Sequence, residues 1–369
     1  MTGLRRWLAR QVPRATRSST PAAFLAKSQW LTPEELARLQ TELRARPGRR
    51  PHLVGRTIAS SGTSGAPTRA RWSVETMRWQ DAAEARSRDW AGLEPGASRV
   101  WVCCNPADHL RRLGSLVQNT SIVAAGSVAN DEAALGALAD RIERKPPDAV
   151  QGVSNVLADL ARELARRGVT LPGTVCISAG NHLTPWYRRE LEAVFARPVR
   201  ERYAVSEVGL IAASCERGRL HVTVETLLVE IGAGGSIEVT LLRNGVSAHR
   251  AVGDVGRLVE EPCPCGRGLP TIELLGRASE QLGLADDRRV SPSDLFGALD
   301  HATVADARFR HRAASNELEV EIVRAPGQTR DDPAERLTRL VGPNARVVVH
   351  DVERLTAGAS GKLRLVESV

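Results

Sequence analysis

Lysine is scarce in this chain of 369 residues. Only Lys27, Lys145 and Lys362 are lysine among 51 basic residues, so the other 48 are arginine. Lysine carries a compact charge on a flexible stem, whereas arginine carries a wide planar fork. Lys362 lies in the Gly/Ser-rich stretch TAGASGKLRL near the end of the chain. A site that needs one cation in a narrow cleft would use lysine, although an ordinary surface position explains a single lysine equally well.

Aromatic residues, long apolar runs and disulfide-like cysteine spacing are also lacking. Aromatics make up 4% of the chain, with four Phe and two Tyr, which argues against base-stacking surfaces for single-stranded nucleic acid. No apolar run approaches the roughly 20 residues that span a bilayer. The six cysteines include the adjacent pair Cys103 and Cys104, a spacing that does not resemble a disulfide framework. We therefore expect a reducing, cytoplasmic location and no membrane partner.

The charge of the chain is positive but dispersed. The formal net charge is +8, yet most basic residues alternate with acidic ones, which is typical of solvated faces rather than of a nucleic-acid surface. The first acidic residue is Glu34, so residues 1–27 form a basic head. This head lacks the apolar core of a secretory signal, and we expect it to be loosely ordered. The length suits about two domains.

Strand-like and helical patterns alternate from residue 74 to about residue 205. Stretches such as VETMRWQDAAEARSRDW and SNVLADLARELARRG predict helices, while SRVWVCC and GTVCIS predict strands. This alternation predicts βαβ units and a buried, mostly parallel sheet. Short β runs follow from about residue 218, and a compact α+β pattern follows IELLGRAS. The predicted fold class is α/β, with a large N-terminal α/β domain at 1–276 that includes a β subregion and a small α+β domain at 277–369.

Three segments carry residues suited to binding a nucleotide. The loop SSGTSGAPT offers hydroxyls and the glycines Gly62 and Gly65, which suit a polyphosphate, although a flexible surface turn explains the loop as well. In YAVSEVG, Glu207 could hold Mg²⁺ and Ser206 could bond a phosphate or a base; a buried tyrosine beside a helix cap is the alternative. In HRAVGDVGRLVE, Asp254 could bond a ribose or could only cap its turn.

A fourth group of residues predicts a metal site. Cys215, His221, Cys263 and Cys265 form a Cys₃His set, which suits tetrahedral Zn²⁺ with no open position for catalysis. The Cys-x-Cys turn is too tight for a comfortable disulfide. The alternative interpretation is three free cysteines and an exposed histidine.

The order of these motifs resembles the adenylate-forming superfamily of acyl- and aryl-CoA ligases. A hydroxyl-rich Gly loop is followed by Y-x-x-S-E, V-G-D, LLGRAS and a terminal G-K; more narrowly, the chain resembles the phenylacetate–CoA ligase group from about residue 28 to its end. The resemblance implies that ATP and a carboxylic acid, here an aryl acid, form an acyl-adenylate and pyrophosphate. The thiol of CoA or of the phosphopantetheine of a carrier protein then takes the acyl group. It also implies Mg²⁺ and a mobile small domain.

The resemblance also implies individual roles. Six residues would cradle the β- and γ-phosphates of ATP: Ser60, Ser61, Gly62, Thr63, Ser64 and Gly65. Tyr203 would lie against the adenine, Ser206 would contact phosphate, and Glu207 would bind Mg²⁺. Asp254 and Arg277 would hold the ribose, while Lys362 would touch both the attacking carboxylate and the α-phosphate. The acyl pocket would be lined by five residues: Gly180, Asn181, His182, Tyr203 and Ala204. Related ligases carry a similar cysteine pattern, consistent with a structural zinc.

Three segments depart from the family pattern, and one is the hinge, where Ala-Ser-Glu follows Gly276 and Arg277 in place of the family's paired acids. Ala204 follows Tyr203 where the family has Gly, and Asn181 stands where the family has Glu. Two alternatives therefore stay open: an adenylating ligase that passes the acyl group to an amine or another nucleophile, and a non-catalytic basic binding protein. An acyl carrier protein and a second copy of the chain, as a homodimer, are candidate partners, and no nucleic acid is expected.

Overall fold

The computed structural model of the protein describes residues 20–44, 55–59, 69–104, 119–242, 249–284, 288–327 and 332–368. The α-helices within these ranges are α1 (Pro21–Ser28), α2 (Pro33–Arg44), α3 (Val74–Trp90), α4 (Glu132–Arg144), α5 (Ser154–Arg166), α6 (Pro185–Phe195), α7 (Pro292–Gly297) and α8 (Ala334–Val341). None of the helices in the described ranges combines the length and the apolar character that crossing a membrane requires.

The β-strands of the described ranges are distributed over four sheets. The first strands are β1 (Gly55–Ala59), β2 (Arg69–Ser73), β3 (Arg99–Cys103), β4 (Thr120–Ala124), β5 (Ala149–Val153), β6 (Val175–Ala179), β7 (Arg200–Val205), β8 (Gly209–Ser214), β9 (Leu220–Val222) and β10 (Leu227–Ile231). The remaining strands are β11 (Ser236–Leu241), β12 (His249–Val259), β13 (Thr271–Arg277), β14 (Leu282–Gly283), β15 (Arg289–Val290), β16 (Val304–Arg312), β17 (Glu317–Arg324), β18 (Arg346–Asp351) and β19 (Val366–Ser368).

A single sheet of eleven strands forms the body of the molecule, in the order β10-β11-β12-β13-β9-β8-β7-β6-β5-β3-β4. At one end of this order, the neighbours β7, β6, β5, β3 and β4 are parallel. From β7 to the other end of the order, at β10, all neighbouring strands are antiparallel. The predicted α/β class with a mostly parallel sheet is confirmed. The predicted β subregion continues the same sheet, because β13 pairs with β9.

The parallel half follows from the patterns in the sequence. Every residue of β5 is buried, as expected for a central strand that is covered on both faces. In α5, Leu157, Leu160 and Leu164 lie on one fully buried face. Thr184 caps α6 by accepting a hydrogen bond from the backbone N–H of Tyr187, and a proline occupies the first turn, which is a favourable helix start. The carboxyl ends of β4, β5 and β6 therefore meet at one edge of the sheet.

The C-terminal part of the chain forms a small lobe around a four-stranded sheet with the order β18-β17-β16-β19. Its buried core includes Phe296, Phe309 and Leu318, and the same cluster contains Trp186 and Tyr187 of α6. The small lobe is therefore packed against the large one. The predicted domain division at 276/277 falls at the end of β13.

Polar contacts, one of them buried, join the two lobes. The Tyr187 hydroxyl donates a hydrogen bond to Asp306 Oδ1 on β16 at 2.7 Å, and Arg189 donates to the Val304 carbonyl at 2.9 Å. Burial raises the pKa of the Asp306 carboxyl to about 7, although the nearby Arg162 charge opposes this rise. The contact between the lobes therefore includes a carboxyl group whose charge depends on pH near neutrality.

The last part of the predicted loosely ordered head is a packed helix. Residues 1–19 lie outside the described residues. Phe24 and Leu25 of α1 are buried, and the ring of Phe24 makes an edge contact with Trp79 of α3. The apolar residues Phe24 and Leu25 interrupt the basic composition, and this burial accounts for the order of the helix.

Candidate active site

A cleft of about 1710 Å³ lies between the carboxyl edge of the parallel strands, the β12–β13 hairpin and the C-terminal tail. Its walls bring together residues that are far apart in the sequence. Tyr203, Glu207, Asp254, Arg277 and Lys362 all line it. The cleft therefore contains both cationic and anionic groups at the sheet edge where α/β proteins bind ligands.

Asp254 is the centre of a preformed polar group in this cleft. The Tyr203 hydroxyl donates to Asp254 Oδ2 at 2.8 Å, and Arg277 Nε lies 3.1 Å from Asp254 Oδ1. The β12–β13 register places Asp254 directly opposite Arg277. Burial raises the pKa of Asp254, whereas the charge of Arg277 and the Tyr203 bond act in the opposite direction. Burial also raises the pKa of Tyr203, helped by the Asp254 charge, so Tyr203 stays a hydroxyl donor.

Lys362, on the tail, lines the same cleft and interacts electrostatically with Asp254. It passes over the end of β6, where a methyl group on Gly180 would lie 3.9 Å from Lys362 Cε. Burial lowers the pKa of Lys362, and Arg277 adds to this effect, whereas Cys104, Asp254 and Glu280 raise the pKa. The rare lysine is therefore half-buried among charged groups at the cleft.

The other predicted site residues are only partly brought together. Ser206 and Glu207 occupy the tight turn between β7 and β8 and line the cleft. The phosphate-loop residues are outside the described residues: Ser60, Ser61, Gly62, Thr63, Ser64 and Gly65. The predicted acyl-pocket residues line the same cleft: Gly180, Asn181, His182, Tyr203 and Ala204.

Within the acyl-pocket group, His182 faces the small lobe. Its ring centroid lies 5.1 Å from that of Phe296 in α7. Burial lowers the pKa of His182 to about 4, with a smaller contribution from Arg188, so the imidazole is neutral at physiological pH. Asn181 donates to the carbonyl of Leu363 at 3.1 Å. These two side chains therefore contact the C-terminal part of the chain as well as lining the cleft.

The predicted Cys₃His set is assembled in the structure. One ligand atom from each of Cys215, His221, Cys263 and Cys265 lies within 4.8 Å of the others. The sulfurs of Cys215 and Cys263 are 3.7 Å apart, and Cys265 Sγ is 3.3 Å from His221 Nε2. Sulfurs bound to one tetrahedral Zn²⁺ at about 2.3 Å would lie roughly 3.7 Å apart. The donor set therefore fits zinc in both chemistry and spacing.

The groups around this cluster support the same interpretation. His221 Nδ1 lies 2.9 Å from the Leu269 carbonyl, which fixes the tautomer that leaves Nε2 free to bind a metal. Burial lowers the pKa of His221. Arg267, two residues after Cys265, stacks its guanidinium over the rings of Trp30 and Trp90 at 5.4 and 4.7 Å. The cluster is thereby connected to the segment that follows α1.

Two residues that contact the tail were not anticipated from the sequence. Asn155, at the start of α5, donates to the Gly361 carbonyl at 2.9 Å. Asn130 donates to the Ala357 carbonyl at 2.9 Å and accepts from the Ala357 N–H at 3.1 Å. For Asn155 the available signal was a polar residue just after a predicted parallel strand, where ligands and functional groups gather.

Comparison with known proteins gives structural matches but no sequence match. No family model matches the chain, and a search of curated proteins also finds no match. The crystal structure of 2-hydroxyisobutyryl-CoA ligase in the postadenylation state with 2-HIB-AMP has a TM-score of 0.69 at 16% identity. That match covers 92% of this chain and 79% of the ligase. The same ligase in its thioesterification state with 2-HIB-AMP and CoA has a TM-score of 0.51 at 16% identity, covering 93% and 81%.

A second ligase shares the architecture. ATP-bound MatB from Rhodopseudomonas palustris has a TM-score of 0.58 at 16% identity, covering 85% of this chain and 66% of MatB. At such identities the similarity concerns the fold. The chain therefore has the fold of the adenylate-forming acyl-CoA ligases, as the order of its motifs predicted.

Proposed function

We propose that the protein is an ATP-dependent acid ligase that activates a carboxylic acid as an acyl-adenylate and passes the acyl group to a thiol. One observation carries the proposal. The scarce lysine Lys362 enters the cleft that contains the Asp254–Arg277–Tyr203 group, in a chain with the fold of acyl-CoA ligases. The aryl-acid substrate and the phenylacetate–CoA ligase-like subtype stay predictions from the sequence motifs.

The charge distribution of the cleft suits adenylation. An oxygen of the carboxylate attacks the α-phosphorus of ATP, and the bond to the bridging oxygen breaks as pyrophosphate leaves with the electron pair. Both reactants are anions, so the barrier comes largely from repulsion and positioning. A cation that bridges them stabilises the transition state more than either ground state. Lys362 is the group that we assign to this role.

The Asp254 group would bind the nucleoside. With Arg277 and Tyr203 fixing both of its oxygens, Asp254 presents a carboxylate in a defined orientation to the two ribose hydroxyls. Tyr203 also supplies an aromatic face for the adenine. Ser206 would contact phosphate, and the loop from Ser60 to Gly65 would hold the β- and γ-phosphates.

Two metal ions belong to the proposal. Glu207 would bind the Mg²⁺ that accompanies ATP, an ion that supplies charge neutralisation to the phosphates. Cys215, His221, Cys263 and Cys265 would hold a structural Zn²⁺ with four protein ligands. Since a closed site of this kind contributes to folding rather than to chemistry, we assign it to the stability of the β8–β9 region.

The second half-reaction would need a different arrangement of the lobes. In the structure, residues of the C-terminal tail line the cleft, and the TM-score is higher against the postadenylation state of 2-hydroxyisobutyryl-CoA ligase than against its thioesterification state. Withdrawal of the tail would remove Lys362 and admit the thiol of CoA or of a carrier protein, which attacks the acyl carbonyl and releases AMP. Such lobe motions commonly gate catalysis. A carrier-protein partner, a homodimer and a cytoplasmic location stay predictions.

The test is pyrophosphate release from ATP and Mg²⁺ with a panel of aryl, arylacetic and short aliphatic acids. The proposal predicts release that depends on one class of acid, and acyl transfer to CoA or to phosphopantetheine. If none of the acids in the panel gives pyrophosphate release, the proposal is contradicted. Binding to polynucleotides with a steep salt dependence would also contradict it. Transfer to an amine in place of a thiol would replace the thiol acceptor while preserving the adenylation step.

A further inference from the structure

The segment that carries Lys362 is held against the large lobe mainly through its backbone. This tail loop, residues 357–363, turns tightly, because the Gly361 N–H donates to the Gly358 carbonyl at 2.8 Å and the Gly358 N–H donates to the Lys362 carbonyl at 3.0 Å. Gly361 has a φ of +81°, a conformation that favours glycine. Other backbone groups of the loop, among them the Gly361 carbonyl, have their partners on the large lobe.

Two asparagines supply those partners on both sides of Lys362. The Asn155 amide donates to the Gly361 carbonyl at 2.9 Å, and the Leu363 N–H donates to Asn155 Oδ1 at 3.4 Å. The Asn181 amide donates to the Leu363 carbonyl at 3.1 Å and to Asn155 Oδ1 at 3.2 Å. Asn155 is only 4% exposed. One connected pair of amides thus binds the residues immediately before and after the lysine.

Asn155 stands on a rigid element of the large lobe, and hydrogen bonds from this element hold Asn181, which lies in the bend after β6. Asn155 lies in the first turn of α5, directly after β5, and Asn181 follows β6. The Ser154 hydroxyl donates to the Asn181 carbonyl at 2.9 Å and shares a hydrogen bond of 2.7 Å with the Ser178 hydroxyl. Side chains placed on regular elements position a group more accurately than side chains on loops. The carboxyl ends of two adjacent parallel strands therefore fix the amide pair.

The loop also packs closely against the edge of the sheet. A methyl group on Gly126 would lie 2.1 Å from the Ala359 carbonyl oxygen, and one on Gly361 would lie 2.5 Å from the Ala125 backbone carbon. The outer end of the loop is bonded to Asn130. The tail loop and the edge of the sheet thus fit each other without space for a side chain at either glycine.

We propose that Asn155 and Asn181 are positioning residues for Lys362, which hold the backbone on both sides of the lysine when the small lobe is closed. The inference deepens the proposed function and rests on it for the role of Lys362. The amides bind main-chain atoms that every residue has, so they place the lysine without competing for its charge. Asn181 stands where the family has Glu, and a carboxylate could not donate to the Leu363 carbonyl. The substitution therefore has a physical use in this chain.

The first test measures the loop without any assay of activity. Hydrogen exchange of a peptide covering residues 356–365 is compared between the wild-type protein and Asn155→Ala. Loss of two buried hydrogen bonds predicts exchange faster by on the order of 10-fold to 100-fold in this peptide. The matched control is Thr174→Val, which removes a buried 2.7 Å bond to the Pro147 carbonyl before the amino ends of β5 and β6 and should leave the loop unchanged. Asn181→Ala, at a less buried position, provides a second variant.

The second test separates positioning from structure. Asn155→Ala should slow acid-dependent pyrophosphate exchange by about 10-fold to 100-fold, while transfer from synthetic acyl-adenylate to the acceptor keeps its rate. In the Lys362→Ala background, Asn155→Ala should cause no further loss, since its effect acts through the lysine. A merely structural role would lower both half-reactions together.

Unchanged hydrogen exchange of the loop in Asn155→Ala and Asn181→Ala would overturn the proposal. It would also be overturned if Asn155→Ala slowed pyrophosphate exchange in the Lys362→Ala background as much as in the wild-type protein. Failure of the proposed function is a distinct result. If the wild-type protein shows no acid-dependent pyrophosphate exchange while the loop still opens in Asn155→Ala, the amide pair is confirmed as a holder of the tail and the ligase assignment fails.

Discussion

The stability of the protein should depend on pH through one buried carboxyl group between the lobes. Asp306 is 7% exposed, lies on β16 and accepts the Tyr187 hydroxyl at 2.7 Å. Its pKa is raised by burial from an ordinary value of 3.8 to about 7. A group with a raised pKa contributes stability that is fully present below pH 3.8 and is lost as the pH rises through 7. The perturbation that tests this is Asp306→Asn, which keeps a neutral hydrogen-bonding side chain.

The magnitude follows from the two pKa values. The difference between 3.8 and about 7 corresponds to a ceiling of roughly 4 kcal/mol at 1.36 kcal/mol per pKa unit. Structural relaxation and entry of water reduce this value for buried charges. We therefore expect the wild-type free energy of unfolding to fall, relative to that of Asp306→Asn, by up to this amount between pH 4 and pH 8.

Urea denaturation across this pH range measures the difference. The exposed substitution Glu335→Gln on α8 serves as the control and should run parallel to the wild type. Tyr187→Phe should move the transition to higher pH, because the Tyr187 hydroxyl lowers the pKa of Asp306. Parallel curves for the wild type and Asp306→Asn would refute the reasoning, since they would show that this carboxyl is equally protonated in the folded and unfolded chains.

Three further predictions concern the tail, the metal site and pH. Gly126→Ala should displace the tail loop, because the Ala359 carbonyl oxygen would lie 2.1 Å from the new methyl group. This variant should slow pyrophosphate exchange by on the order of 10-fold to 100-fold. Gly136→Ala on α4, where the nearest atom would lie 3.5 Å from the new methyl group, should leave the rate unchanged. Metal analysis should find one zinc ion per wild-type chain, which Cys265→Ser should lose and Cys104→Ser should retain; zinc-free wild-type protein would contradict the assignment. Because burial lowers the pKa of Lys362, the rate of adenylation should decline at high pH with an apparent pKa below 10.5. Lys362→Arg should abolish that decline. The same decline in the variant would show that another group causes it.

The individual helices and strands could be predicted from the sequence more fully than the order of the strands in the sheet. The pattern VETMRWQDAAEARSRDW predicts a helix with the same limits as α3, and a cap residue followed by proline marks the start of α6. Such signals are local. The pairing of β13 with β9 joins residues about 50 positions apart in the chain, and no local pattern encodes it. The β subregion was therefore predicted, but its continuity with the parallel sheet was not.

The candidate site divides in the same way. Tyr203, Asp254, Arg277 and Lys362 were predicted from short motifs and from the family resemblance that these motifs carry, and all four line one cleft. Asn155 was missed, because its bonds reach across more than 200 residues to the tail. An asparagine early in a helix resembles an ordinary capping residue in the sequence, so only the packing of the lobes reveals its partners.

The central claim is that Lys362 meets the reacting groups in the cleft. The measurement that tests it most directly is acid-dependent pyrophosphate exchange by Lys362→Ala, with Lys145→Ala, an exposed lysine after α4, as the matched control. The account predicts a loss on the order of 10²–10³ for Lys362→Ala and none for Lys145→Ala. Equal exchange by the two variants would contradict it.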